Sequence, residues 1–259
     1  MSEKRAAVIG HPISHSRSPA LFARFTKATG IALRYEPVDV LPEELEATLA
    51  RWKRDPDFVG CNVTLPHKAR ALELADVVEP AARACGAANV LTRVGETLVA
   101  DNTDVAGIEA ALAKQGVTLA GKRVAVLGNG GAARAAAFAA RRNGAASLVI
   151  AGRDLARAQA VARDFDAQAC RIDAVPVSDV YVNATPVGME GQLDASLLPP
   201  DAPAGAVAFD LVYTPAVTPF LIDADKRGLH PVPGTGMFFA QAAATYARWF
   251  GIVPEEIDA

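Results

Sequence analysis

The chain has 259 residues, 51% of them hydrophobic and 21% charged, with a net charge of −3. That is long enough for a sizeable core in one or two domains, and without a block of Lys and Arg no nucleic-acid partner is expected. Cys61, Cys85 and Cys170 are far apart, odd in number and without C-x-x-C spacing, so no disulfide framework or zinc site is expected and a cytoplasmic setting fits.

No run approaches ~20 uninterrupted apolar residues, so no membrane span is predicted. The opening Met1-Ser2-Glu3-Lys4-Arg5 reads as leading into a strand rather than a signal segment. Short apolar strands then alternate with helical stretches, the pattern of a parallel sheet covered by helices. Residues 5–9 form the first strand, broken at Gly10-His11-Pro12. Ser18-Pro19 opens a helix, Ser as N-cap and Pro at the first position, and Gly30 closes it. A strand at 33–38, a helix at 42–54 and a strand at 58–63 follow. Helices at 67–75 and 79–85 precede a hairpin, 89–94 with 97–100, turning at Gly95-Glu96.

A helix at 103–114 leads into a second unit, with the boundary near Thr103. There the pattern gives strand 124–127, helix 132–142, strand 147–150, helix 154–164 and strands near Val180 and Val207. Arg134, Arg141 and Arg142 read as the outer face of the Ala-rich helix. A Pro/Gly-rich turn at 231–236 introduces a last helix, 237–250.

The strongest local signal is Val126-Leu127-Gly128-Asn129-Gly130-Gly131-Ala132-Ala133-Arg134. It follows a strand and opens a helix, and Gly128, Gly130 and Ala133 match G-x-G-x-x-G/A. Such a turn lets backbone approach a pyrophosphate, with free N–H groups at the helix start facing the anion. At the next strand end, Arg153 and Arg157 are four apart and suit the 2′-phosphate of NADP. Asp154 between them either opposes that phosphate or caps the helix.

In Asn62-Val63-Thr64-Leu65-Pro66-His67-Lys68 the proline stops a strand, and two proton carriers sit side by side. Asp101-Asn102-Thr103-Asp104 alone reads as a turn with an N-cap, Ser14, Ser16 and Ser18 as loop and cap residues, and Asn89 as a turn former. His11, His15 and His230 have no metal-ligand spacing and are assigned to surface or packing. Trp52, Trp249 and Phe238-Phe239 fit helix packing.

Over nearly its whole length the chain resembles shikimate dehydrogenases. The matching motifs, in order, are G-H-P-I-S-H-S-R-S-P (10–19), N-V-T-L-P-H-K (62–68), G-A-A-N (86–89), D-N-T-D (101–104), G-N-G-G-A-A-R (128–134), N-A-T-P-V-G-M (183–189), D-L-V-Y-T-P-A-V-T-P (210–219) and G-T-G-M-F-F-A-Q-A (234–242). The resemblance implies a two-domain α/β protein: a mostly parallel substrate domain, 1–103 with 237–259, and a Rossmann NADP-binding domain, 104–236. It implies reversible NADPH-dependent reduction of 3-dehydroshikimate to shikimate, by a monomer or homodimer. Lys68 and Asp104 match the catalytic pair. Ser16 and Ser18 match residues that bind the substrate carboxylate, with Tyr213 near it, and Asn62, Thr64, Asn89 and Gln241 match binders of ring hydroxyls. Gly128, Asn129, Gly130, Gly131, Ala132, Arg153, Arg157, Asn183, Thr185, Leu211 and Gly234 fall at the cofactor.

A hydride arriving at a carbonyl carbon leaves an alkoxide that must gain a proton, which Lys68 would donate while Asp104 orients it. His67 is expected in the first turn of a helix, facing away from the site. Departures from the family pattern include Asn129, Ala133, Val90, Val105, Leu211 and Gly152-Arg153-Asp154. None removes a catalytic group, but they fit a divergent member. The alternatives are a quinate/shikimate paralogue with relaxed substrate or NAD use, and a non-catalytic nucleotide sensor keeping the fold.

Overall fold

The structure, a computed structural model, describes residues 3–14 and 16–254; His15 lies outside the described residues. The chain divides into two compact units, one running to Ala106 and resuming at Gln241, the other Gly107–Ala240.

The first unit contains β1 (Lys4–Gly10), α1 (Ser18–Thr29), β2 (Leu33–Asp39), α2 (Leu45–Lys53), β3 (Phe58–Val63), α3 (Lys68–Glu73), β4 (Val77–Val78), α4 (Pro80–Cys85), β5 (Val90–Val94), β6 (Thr97–Asp101) and the start of α5 (Asp104–Lys114). Its sheet has the order β2-β1-β3-β5-β6-β4. β1 runs parallel to β2 and β3, and β4 parallel to β6, while β5 is antiparallel to both neighbours. Residues 6–10 of β1 are all buried, as in a strand covered on both faces. Because β5 is reversed, its first residue, Val90, pairs with Asn62 near the end of β3. The Val63 N–H donates to the Asn89 carbonyl at 2.7 Å, and the Ala88 N–H to the Lys68 carbonyl at 2.9 Å. Polar residues distant in sequence are thereby gathered at one edge.

The second unit contains β7 (Arg123–Leu127), α6 (Gly131–Arg142), β8 (Ser147–Gly152), α7 (Leu155–Asp164), β9 (Gln168–Arg171), β10 (Val180–Asn183), β11 (Val207–Asp210), α8 (Pro219–Lys226), β12 (His230–Val232) and the start of α9 (Gly234–Phe250). All its strands are parallel, in the order β12-β11-β10-β7-β8-β9. Counted from β7 as the first, this is 3-2-1-4-5-6 read from the other edge, the doubly wound order of a Rossmann domain.

Asp210, at the end of β11, has no exposed surface. Its Oδ1 accepts from the Val212 N–H and Asn183 Nδ2, both at 2.9 Å, and its Oδ2 from the Thr218 hydroxyl at 2.5 Å. Burial nevertheless pushes its carboxyl up to about 6 from 3.8, against those three bonds.

Several sequence expectations are corrected. Arg17, not Ser18, holds the cap position of α1, without a side-chain bond, and the Ser18 N–H donates to Ser16 Oγ at 3.3 Å. The helix expected over 42–54 begins as a 3₁₀ turn, Pro42–Glu44. His67 precedes α3 and is buried rather than lying in its first turn. Its Nε2 donates to the Val40 carbonyl at 2.7 Å, which ties this corner to the end of β2. The turn expected at 231–236 is split between β12 and the first turn of α9. A methyl on Gly234 would lie 2.5 Å from the Val212 carbonyl oxygen, so this tight entry requires glycine. β4, β9 and α8 were not anticipated.

Two stability predictions follow from these contacts. An added methyl at Gly60 would collide with the Leu91 carbonyl and lie 2.6 Å from Trp249 Nε1. Urea denaturation of Gly60→Ala should therefore show a loss of ~2 kcal/mol or more. Gly95→Ala, with φ 63° and nothing within 4 Å, should lose only about 1 kcal/mol. For Asp210, the raised folded-state value means the native protein holds the proton more tightly than the unfolded chain. The associated stability is complete below pH 3.8 and is lost as pH rises through about 6, by about 3 kcal/mol. Relative to Asp210→Asn, the parent should weaken between pH 4 and pH 7 (both values set by ~3.8 and ~6); a pH-independent difference would remove this account.

Candidate active site

The first unit brings Lys68 and Asp104 together. Lys68 opens α3 and Asp104 opens α5, and Lys68 Nζ lies 2.5 Å from Asp104 Oδ2. The side chains are 19% and 9% exposed, so the pair is largely shielded. Asn89 Nδ2 donates to the other carboxylate oxygen, Oδ1, at 2.8 Å, and to Thr103 Oγ1 at 3.0 Å. Asn89 Oδ1 accepts the Thr103 backbone N–H at 2.7 Å. Asn102 Oδ1 accepts the Asp104 N–H at 3.1 Å, and Asn102 Nδ2 donates to the Ala87 carbonyl at 2.9 Å. The D-N-T-D segment is thus a turn that also delivers a carboxylate.

Asn62, in β3, is buried; the Tyr35 hydroxyl donates to its Oδ1 at 2.8 Å and its Nδ2 donates to Thr245 Oγ1 at 3.1 Å. The Thr245 and Thr103 hydroxyls lie 3.1 Å apart. One connected set therefore runs from Tyr35 through Asn62, Thr245, Thr103 and Asn89 to Asp104 and Lys68. Thr64 is half-buried after β3, and its backbone N–H donates to the Ile9 carbonyl at 2.9 Å. Ser18 is buried and Ser16 half-buried at the start of α1, and Gln241 is half-buried on α9 one turn before Thr245. The sequence reading missed Tyr35 and Thr245. A helical Thr four residues after Gln241 was the available signal, since i and i+4 share a helix face.

The second unit carries the glycine turn between β7 and α6. Gly128 has φ +125°, and a Cβ there would lie 2.8 Å from the Ala184 carbonyl oxygen. At Gly130, in contrast, a Cβ would meet nothing within 4 Å. A tight glycine followed by open space before the N–H groups of Gly131 and Ala132 is a cradle that fits a dinucleotide pyrophosphate. Ala133 is fully buried, as close helix–strand packing requires.

Asn129 Nδ2 reaches the Asp154 carbonyl at 3.4 Å, at the end of β8. Asp154 caps α7, its Oδ1 accepting the Arg157 N–H at 3.1 Å, while its Oδ2 lies 3.4 Å from Arg157 Nε. Between the two readings of Asp154, the cap is the observed one. Arg153 is exposed, and the Arg157 side chain is 80% exposed. Asn183 Oδ1 accepts from the Thr185 N–H at 3.1 Å and hydroxyl at 2.7 Å, and its Nδ2 donates to the Val187 carbonyl at 3.1 Å. Leu211 is buried, and Tyr213 stacks on Phe238 with ring centroids 4.2 Å apart. Among the described residues no group of three or more His, Cys, Asp or Glu could hold a metal ion, and no helix is long and apolar enough to cross a membrane.

Residues 8–91 match the family model described as shikimate dehydrogenase substrate binding domain, and residues 110–186 that described as shikimate / quinate 5-dehydrogenase. The shikimate dehydrogenase (NADP(+)) of Azorhizobium caulinodans is 42% identical, covering 99% of this chain and 93% of its own. The crystal structure of shikimate 5-dehydrogenase from Thermus thermophilus in complex with NADP(H) and shikimate superposes with a TM-score of 0.87 at 38% identity, covering 97% of this chain and 95% of that one. The ligand-free 5-ketofructose reductase of a Gluconobacter strain superposes with a TM-score of 0.89 at 29% identity, covering 98% and 95%. Identity of this extent over nearly the whole length shows that the chain belongs to the shikimate dehydrogenase family.

Proposed function

We propose that this chain is an NADP-dependent shikimate dehydrogenase, acting in the cytoplasm and interconverting 3-dehydroshikimate and shikimate. The observation that carries the reading is Lys68 Nζ 2.5 Å from Asp104 Oδ2, in a member of this family. Ser16 and Ser18, with Tyr213, are assigned to the substrate carboxylate, and Asn62, Thr64, Asn89 and Gln241 to its ring hydroxyls. The first unit is assigned to substrate and the second to the dinucleotide.

Both hydrogens of Asn89 Nδ2 are engaged, one by Thr103 and one by Asp104. What Asn89 retains for a ligand is one lone pair on Oδ1, so a substrate hydroxyl would donate to it. NADPH, when bound, supplies the hydride for the reductive direction. Lys68 gives its proton to the oxygen that becomes negative and holds positive charge beside it as the charge develops. Asp104, itself held by Asn89, keeps the lysine on target. Gly128, Gly130, Gly131 and Ala132 would receive the pyrophosphate; Arg153 and Arg157 would face the 2′-phosphate, with Asp154 occupied as a helix cap. Asn129, Asn183, Thr185, Leu211 and Gly234 complete the assigned cofactor contacts.

A relaxed shikimate/quinate enzyme is the second reading, favoured by the family description that names both. Initial rates with shikimate and quinate, each with NADP and NAD, separate them. Shikimate with NADP should give the highest kcat/KM, whereas quinate with NAD matching it would select the second reading. Lys68→Ala should lose ~10²-fold or more in kcat. His67→Ala strands the Val40 carbonyl and should cost about 1–3 kcal/mol of stability, yet leave kcat of the folded enzyme within a few-fold. A greater loss of turnover at His67 than at Lys68 would overturn the assignment of the proton donor.

A further inference from the structure

The two asparagines assigned to the substrate differ in how their amides are held. Asn89 faces two partners whose roles are fixed by chemistry. The Thr103 backbone N–H can only donate, at 2.7 Å, and the ion-paired Asp104 carboxylate can only accept, at 2.8 Å. Oxygen must meet the first and nitrogen the second, so Asn89 has one way up.

Asn62 has no such constraint of its own. Its side chain meets two hydroxyls, Tyr35 at 2.8 Å and Thr245 at 3.1 Å, and a hydroxyl can donate or accept. Its orientation is inherited through Thr245. The Thr245 hydroxyl lies 3.1 Å from Thr103 Oγ1, which in turn accepts from Asn89 Nδ2 at 3.0 Å. If Thr103, which accepts from Asn89 Nδ2, donates to Thr245, the other lone pair of Thr245 remains for Asn62 Nδ2, and the Tyr35 O–H turns to Asn62 Oδ1. This leaves Asn62 with one N–H and one carbonyl lone pair for a ligand. Thr245 has no exposed surface, and it lies on the same face of α9 as Gln241, one turn away.

We propose that Thr245 is a positioning residue whose hydroxyl, linking the Asn62 amide to the Thr103–Asn89–Asp104 cluster, fixes the face Asn62 turns to the substrate hydroxyls. The inference rests on the shikimate reading above. It is tested by titrating shikimate, and separately NADP, into the parent, Thr245→Val and Thr245→Ser, with thermal melting of each. Thr245→Val keeps the shape and removes the hydroxyl. It should weaken shikimate about tenfold, the size of one hydrogen bond, and leave NADP within about twofold. Thr245→Ser should bind shikimate within about twofold of the parent. A hydroxyl that only supported the fold would lower the melting temperature without separating the two ligands.

Tyr35→Phe removes the other anchor of the Asn62 amide while keeping the ring stacked on Phe22, centroids 3.9 Å apart. It should give the same selective loss and provides the readout should Thr245→Val not fold. Shikimate bound equally by parent, Thr245→Val and Tyr35→Phe, or shikimate and NADP weakened alike, would overturn the inference and leave the shikimate reading standing. A parent that binds NADP but not shikimate would overturn the reading and this inference together.

Discussion

A carboxylate has lone pairs and no hydrogen to give, and the first unit is organised around that fact at Asp104. Its two oxygens receive Lys68 Nζ and Asn89 Nδ2. Because both partners must donate, the lysine is held in place and the asparagine can sit only one way. With Asn89 so oriented, its second Nδ2 hydrogen goes to Thr103 Oγ1, which links on to Thr245. Largely removed from water, such a set is held more firmly than its members would be in solvent, and any member left unpaired would be costly. That is why a reaction needing one mobile proton is surrounded by so many fixed ones.

The backbone makes this arrangement possible. β3 ends at Val63 and the chain turns through Pro66, so Lys68 opens α3 next to the strand it has just left. Reversing β5 brings Asn89 beside that strand end, and the β5–β6 hairpin returns the chain to Asp101, whose carbonyl accepts the Asn89 N–H at 3.1 Å. Asp104 follows at the start of α5. The last helix adds Thr245, and Arg248 one turn on anchors it to Asp101 at 2.6 Å and to Glu79 at 3.1 Å. In the second unit the equivalent tie is Asp210. This buried carboxylate joins the end of β10, at Asn183, to the segment after β11, through Val212 and Thr218.

Alternation of strands and helices, and the glycine turn before α6, were legible because they depend on local periodicity and on backbone that only glycine tolerates. β3 was read from Phe58 to Val63, as observed. The strands that escaped are short or polar: Val77–Val78 has two residues, and Gln168–Arg171, with polar residues at both ends, lies at a sheet edge. α8 had a usable signal, since Thr218 caps it and Pro219 begins it. Asp104 and Asn89 were reachable only through the resemblance to a family, because each alone reads as a turn or cap residue; Lys68 stood out as one of two adjacent proton carriers, and the resemblance chose it over His67. Tyr35 was not legible, and Thr245 showed only as a Thr four residues after Gln241, on the same helix face. Each acquires its role from a partner far away in the chain, 27 residues for Tyr35 and 183 for Thr245, and no local pattern encodes such a pairing.

If the carboxylate works through the lysine, the two must fail as one. A double-mutant cycle with Lys68→Met, Asp104→Asn and both together, read as kcat/KM for shikimate oxidation with NADP, measures this directly. The account predicts that the double variant is impaired about as much as the worse single variant. Losses that multiply would show the two residues acting independently and would contradict it.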